Sequence, residues 1–88
     1  MSIAEELKKE NTMADVFAAR PNFREHVASD IKSYGRCSIL HGNHICQIGT
    51  DAIPERYVRA VVGWAESEGL SVEYGYNTYG VGVLRLSI

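Results

Sequence analysis

Residues 37–46 read CSILHGNHIC, two cysteines and two histidines around a central Gly42-Asn43 pair. Gly-Asn is a type II′ turn signal, and apolar residues alternate on both sides of it, so the stretch predicts a β-hairpin. In that hairpin His41 stands opposite His44, Ile39 opposite Cys46 and Cys37 opposite Ile48, all on one face. Leu40 and Ile45 point to the other. Four side chains of metal-binding type on one face raise the question of zinc. Cys37 and His41 stand roughly 13 Å apart along one strand, so a single ion cannot gather all four. His41, His44 and Cys46 are the three that can converge. A Cys37 to Cys46 disulfide would be a diagonal pair at ~7 to 8 Å between α-carbons, wider than a bridge accepts. No CxxC, HExxH or paired-finger spacing accompanies the stretch. The expectation is therefore a plain hairpin with Cys37, Ile39, Cys46 and Ile48 facing the core, the histidines at its wet end, and no metal or cofactor.

On both sides of this stretch lie segments with helical spacing. Asn22-Phe23-Arg24-Glu25 has the pattern of a capped helix start, and Phe23, Val27, Ile31 and Tyr34 recur on one face up to Gly35, a natural terminating residue. Pro54 opens another such segment, with Tyr57, Val61, Trp64 and Ala65 on one face and Gly69-Leu70 as its stop. At the start of the chain, Ser2-Ile3-Ala4-Glu5 reads as a capping box. A helix from Ile3 would place Ile3, Leu7, Ala14 and Phe17 together if it runs to Arg20, whereas Asn11-Thr12 can break it and cap a second short helix. Pro21 ends the segment in either case.

The chain closes with SVEYGYNTYGVGVLRLSI, residues 71–88, a second predicted hairpin with Asn77-Thr78 at its tip. A two-residue tip puts Val72, Tyr74, Tyr76, Tyr79, Val81 and Val83 on one face, and Leu84, Leu86 and Ile88 on the other with Gly75, Gly80 and Gly82. The fold class is accordingly α+β: an N-terminal helical arm over residues 1–21, then one compact domain over 22–88 in the order helix, β-hairpin, helix, β-hairpin. Its sheet is mainly antiparallel, of about four strands, with helices on one face.

With 88 residues the chain is one small domain, and a net charge of −2 provides no global attraction for nucleic acid or an anionic membrane. No apolar run approaches the ~20 residues of a membrane span, the first residues mix acids and bases unlike a targeting segment, and two cysteines make no disulfide framework. A cytoplasmic location is the expectation.

Enzyme signatures are absent. His26 and Asp30 stand four apart on the second helix, the spacing of an acid/base pair, but no nucleophile motif accompanies them. Gly80 and Gly82 run into a strand with no helix to receive a phosphate, so neither is part of a phosphate-binding loop. The expected function is that of a small non-catalytic interaction module, self-associating as a homodimer or binding another protein. Its size and lack of motifs are those of accessory or inhibitor proteins of phages and mobile elements. The contact residues expected are Tyr74, Tyr76, Tyr79, Val81 and Val83 on the sheet, because tyrosine offers broad amphipathic contact area. Ala60, Gly63 and Ser67 beside Trp64 make a second candidate, since a glycine inside a helix often marks a close approach.

Residues 55–88, ERYVRAVVGWAESEGLSVEYGYNTYGVGVLRLSI, resemble the winged-helix family over the C-terminal third of the chain: a recognition helix ending in Glu-Gly-Leu, followed by a wing hairpin. The resemblance implies DNA binding, with Arg56 and Arg59 outward against Glu66. It also implies that HGNHICQIGTDAIP, residues 41–54, forms a second helix.

Overall fold

The computed structural model describes residues 12–88. The Ser2 to Glu5 capping box and the placement of Ile3 and Leu7 lie outside the described residues. Helix α1 spans Met13–Ala19, α2 Phe23–Tyr34 and α3 Val58–Ser67, the last entered through a short 3-10 turn, Glu55–Tyr57. Strands β1 (Cys37–Gly42), β2 (Ala52–Pro54), β3 (Ser71–Tyr76) and β4 (Gly82–Ser87) form one mixed sheet in the order β2-β1-β4-β3. The α+β class is established by three helices and four strands.

Helix ends follow the local chemistry. The Thr12 N–H donates to the Asp15 carboxylate at 3.4 Å, one arm of a capping box, so Thr12 caps the helix that starts at Met13. Gly35 and Gly69 take the left-handed conformation at φ 80° and 81°. After α3 the Gly69 N–H donates to the Glu66 carbonyl and the Leu70 N–H to the Ala65 carbonyl, each at 3.0 Å, the paired bonds of a Schellman stop. Any residue with a Cβ would be strained at either glycine.

The helices cover the sheet face that carries Cys37, Ile39, Ile53, Leu84 and Leu86, all fully buried. Phe23, Val27 and Ile31 of α2 and Val61 and Ala65 of α3 complete this core. Tyr34 departs from the helical pattern: it sits in the last turn of α2 and is 79% exposed. Helix α1 is anchored by Val16, fully buried, and by Phe17, whose ring meets those of Phe23 and Trp64 edge-on at centroid distances of 6.4 and 5.8 Å. Fully burying a valine such as Val16 contributes ~1.5–3 kcal/mol.

The first predicted hairpin does not form. The chain turns one position later than expected, at Asn43-His44, with the Ile45 N–H donating to the Gly42 carbonyl at 3.2 Å, and residues 43–51 run on as an irregular loop. One edge of β1 pairs antiparallel with β4, and the other pairs in parallel with β2, Leu40 opposite Ala52 and His41 opposite Ile53. Burial decides the competition. Pairing of 44–48 would bring only Cys46 and Ile48 inward, whereas β2 brings in Ile53, fully buried, and Pro54, and leads directly into the turn that buries Tyr57. Cys46 is consequently exposed. The same segment is where the winged-helix resemblance requires a helix, and 41–54 contains none.

The second hairpin does form, with a different register. Tyr76 pairs with Gly82, leaving a five-residue loop, 77–81, in place of a two-residue tip. The Asn77 side-chain oxygen accepts from the Tyr79 and Val81 N–H groups at 2.9 and 3.0 Å, and Gly80 takes φ 77°. Because a shift by an odd number of positions turns a strand over, Leu84 and Leu86 share the helix face with Val72, Tyr74 and Tyr76. Val83, expected beside the tyrosines, lies on the opposite face between Leu40 and Gly75.

Candidate functional site

The core face is covered unevenly from strand to strand. Tyr74 lies directly opposite Leu84 in the ladder, yet Leu84 is fully buried and Tyr74 is 66% exposed. Tyr76 and Tyr79, further along, are 76% and 88% exposed. β3 is the outermost strand of the sheet, so these rings accompany a backbone edge that is unpaired among the described residues.

Beside the tyrosines, at the end of the sheet where β1 stops and the 77–81 loop turns, is a pocket of about 380 Å³. His41, Glu55, His44, Tyr76, Tyr79 and Gly82 line it. His41 projects from β1 toward the helix face, and the parallel pairing of β1 with β2 carries Glu55, immediately after β2, over it. Nδ1 of His41 and Oε2 of Glu55 lie 2.6 Å apart, a short bond that fixes the ring. Gly82, paired across from His41, supplies the space: a Cβ there would collide with Cε1 of the ring. His44 lies in the same manner over Gly42, where a Cβ would meet its Cε1 at 2.6 Å. Two imidazoles thus rest on two glycines at the mouth of one pocket. The spacing of CSILHGNHIC revealed the histidines but not Glu55, which reaches His41 only through a strand pairing.

The predicted contact residues are dispersed by this architecture. Tyr74, Tyr76 and Tyr79 remain exposed together, Val81 is half-buried in the loop, and Val83 is 5% exposed on the opposite face. On α3, Gly63 and Ser67 are exposed and Ala60 half-buried, with open space around Gly63 among the described residues. Ser67 donates its hydroxyl to the Trp64 carbonyl at 2.6 Å. Trp64 is occupied within the fold, its ring 5.8 Å from that of Phe17 and 5.6 Å from that of Phe23.

The candidate ligands His41, His44 and Cys46 are not brought within a common coordination distance. A different trio is. His26 and Asp30, one helical turn apart on α2, approach with Nε2 and Oδ2 at 3.3 Å, and Cys37 at the start of β1 joins them. The Cys37 thiol is pushed up from 9.0 to about 12, first by burial, then by the Asp30 charge and hydrogen bond, and then by the Asp51 charge. It stays protonated at neutral pH, which argues against a nucleophilic cysteine there. The i,i+4 spacing signalled the first two residues. The third follows from a short helix-to-strand turn, which sets the first inward residue of β1 against the last turns of α2.

No protein family, curated protein or solved structure matches this chain. Among the described residues no helix is long and apolar enough to cross a membrane.

Proposed function

We propose that this chain is a small non-catalytic protein-binding module whose docking element is the outer edge of β3. The supporting observation is the coincidence of a strand edge unpaired among the described residues with three exposed aromatic rings, Tyr74, Tyr76 and Tyr79, the last two of which line a pocket shared with the His41–Glu55 pair. A strand edge offers a row of backbone donors and acceptors that another strand can complete, and flanking tyrosines supply contact area that excludes water from those bonds. Strand addition of this kind needs no catalytic group.

The partner proposed is a second copy, because two β3 edges related by a two-fold axis continue the sheet with the same residues on both sides. Native mass spectrometry of the untagged protein and of the double variant Tyr76→Asp, Tyr79→Asp tests this. The expected result is a wild-type dimer and a monomeric variant of unchanged helix and strand content. A variant that keeps the wild-type mass and every partner overturns the reading. A monomeric wild type that captures a different protein through the same tyrosines would keep the edge and replace the occupant.

A further inference from the structure

The cluster at the junction of α2 and β1 is separate from the tyrosine edge, and its geometry is that of a ligand set. The ring nitrogen of His26, a carboxylate oxygen of Asp30 and the sulfur of Cys37 all lie within 4.8 Å of one another. It is the one grouping of three such side chains at that spacing among the described residues. Nε2 of His26 is buried and makes no hydrogen bond, although Oδ2 of Asp30 is only 3.3 Å away. A buried ring nitrogen without a partner is uncommon in a folded protein.

We propose that His26, Asp30 and Cys37 bind one divalent zinc ion. Two ligands held ~2.05 Å from a tetrahedral zinc stand about 3.3 Å apart, which is the separation that His26 and Asp30 already have. Nitrogen and sulfur ligands of the same ion stand about 3.6 Å apart, so from a separation within 4.8 Å Cys37 closes by about 1.2 Å at most. Imidazole, carboxylate and thiolate together suit zinc and not magnesium or calcium, which take oxygen ligands. On binding, the thiol proton passes to solvent and the sulfur takes up the ion.

The fourth coordination position faces a cleft of about 330 Å³ that His26 and Asp30 line together with Tyr34, Arg36, Ser38 and Asp51. A water molecule completes the tetrahedron from that side. Three protein ligands with an open fourth position leave the ion accessible to a small ligand from the cleft. The ion also ties the last turns of α2 to the first residue of β1, across the turn at Gly35.

Titration of chelator-treated, reduced protein with Co²⁺, followed by displacement with Zn²⁺, tests the site. The expected result is one Co²⁺ per chain with thiolate-to-metal charge-transfer absorption, bleached by Zn²⁺. Cys37→Ser should abolish that absorption, and His26→Gln and Asp30→Asn should each weaken binding by at least ~10-fold. His44→Ala and Cys46→Ser should leave both readouts unchanged. Circular dichroism of each variant checks folding, and His26 and Asp30, half-buried at the cleft, provide readouts if Cys37→Ser fails to fold. Failure of the wild type to take up metal at equimolar concentration overturns the proposal, as does charge-transfer absorption that survives Cys37→Ser. Dimerisation through β3 is a separate measurement and stands or falls independently.

Discussion

Residues 37–48 and residues 71–88 carry the same kind of local signal, alternating apolar residues around a polar turn, and they end in different structures. In the second stretch the two arms pair with each other over Ser71–Tyr76 and Gly82–Ser87. In the first, only Cys37–Gly42 becomes a strand, and its two edges are taken by β4 and β2. Both stretches contain a turn, one centred on Asn43-His44 and one at Asn77 to Val81. The difference lies in the residues on the C-terminal side of each turn. Leu84 and Leu86 become fully buried when β4 pairs, whereas the residues after Gly42-Asn43 include only Ile45 and Ile48 as large apolar groups, and both stay half-buried in the loop. A turn signal specifies that the chain reverses, and burial specifies whether the reversed arm stays paired.

Truncating one apolar residue in each second arm puts this contrast under the greatest load. Leu84→Ala removes a fully buried side chain and should cost ~2–5 kcal/mol, whereas Ile45→Ala should cost under about 1 kcal/mol. Urea denaturation of both variants measures the difference, and equal losses would mean that the loop contributes to the core as a strand does.

Next in size are the two glycines that seat histidines. Gly82→Val would push against the His41 ring, whose side chain is 13% exposed and held by Glu55, and should cost ~1–3 kcal/mol. Gly42→Ala meets only the exposed His44, which is free to swing into solvent, and should change stability by less than about 0.5 kcal/mol. Thermal melts of the pair test whether the β1–β4 contact or the Gly42 turn carries the constraint.

Asn77→Ala removes the acceptor for two loop N–H groups, and a loss of ~1–2 kcal/mol is expected. Amide exchange should show faster opening of the 77–81 loop with little change at β1. Loss of protection across β1 as well would mean that the register of the second hairpin is needed to hold the first.

The smallest expected effect separates the two thiols of residues 37–46. Burial and the neighbouring Asp30 charge raise the Cys37 thiol from 9.0 to about 12, so its ionised form is disfavoured in the folded state. Above about pH 9 the unfolded chain releases a proton that the folded chain retains, and stability therefore falls as pH rises toward 12. Between about pH 8 and pH 10 this amounts to roughly 1 kcal/mol in metal-free protein, read as the difference in urea midpoint slope between wild type and Cys37→Ser. In the native state a thiol reagent should label the exposed Cys46 promptly and Cys37 only on unfolding. Two equally reactive thiols would contradict the assignment of one to the strand and one to the loop.

The candidate sites were legible in the sequence to unequal degrees, for reasons of distance along the chain. His26 and Asp30 are readable as a pair because i,i+4 spacing on a helix places them on one face without further information. Cys37 is readable only given a short α2–β1 turn, and Glu55 beside His41 only given a parallel strand pairing that residues 43–51 do not announce. The tyrosines were legible as an apolar set, but their grouping with Val83 depended on the parity of a loop. A side-chain oxygen of Asn77 accepting two backbone bonds favours five residues there, and the resulting register sends Val83 to the opposite face.

Sequence alone settled the local features. Helices α2 and α3 start and stop where the apolar spacing, Gly35 and Gly69 dictate, because those signals act within one or two turns of backbone. The alternation of residues 37–41 and 82–86 between faces is local in the same sense. Which strand lies beside which emerged only on tertiary packing. The backbone hydrogen-bonding edges of all strands are chemically alike, so the choice between them falls to the total apolar surface removed from water. Ile53 and Leu84, far from β1 in sequence, gain more from that burial than the ten residues in which the hairpin was written.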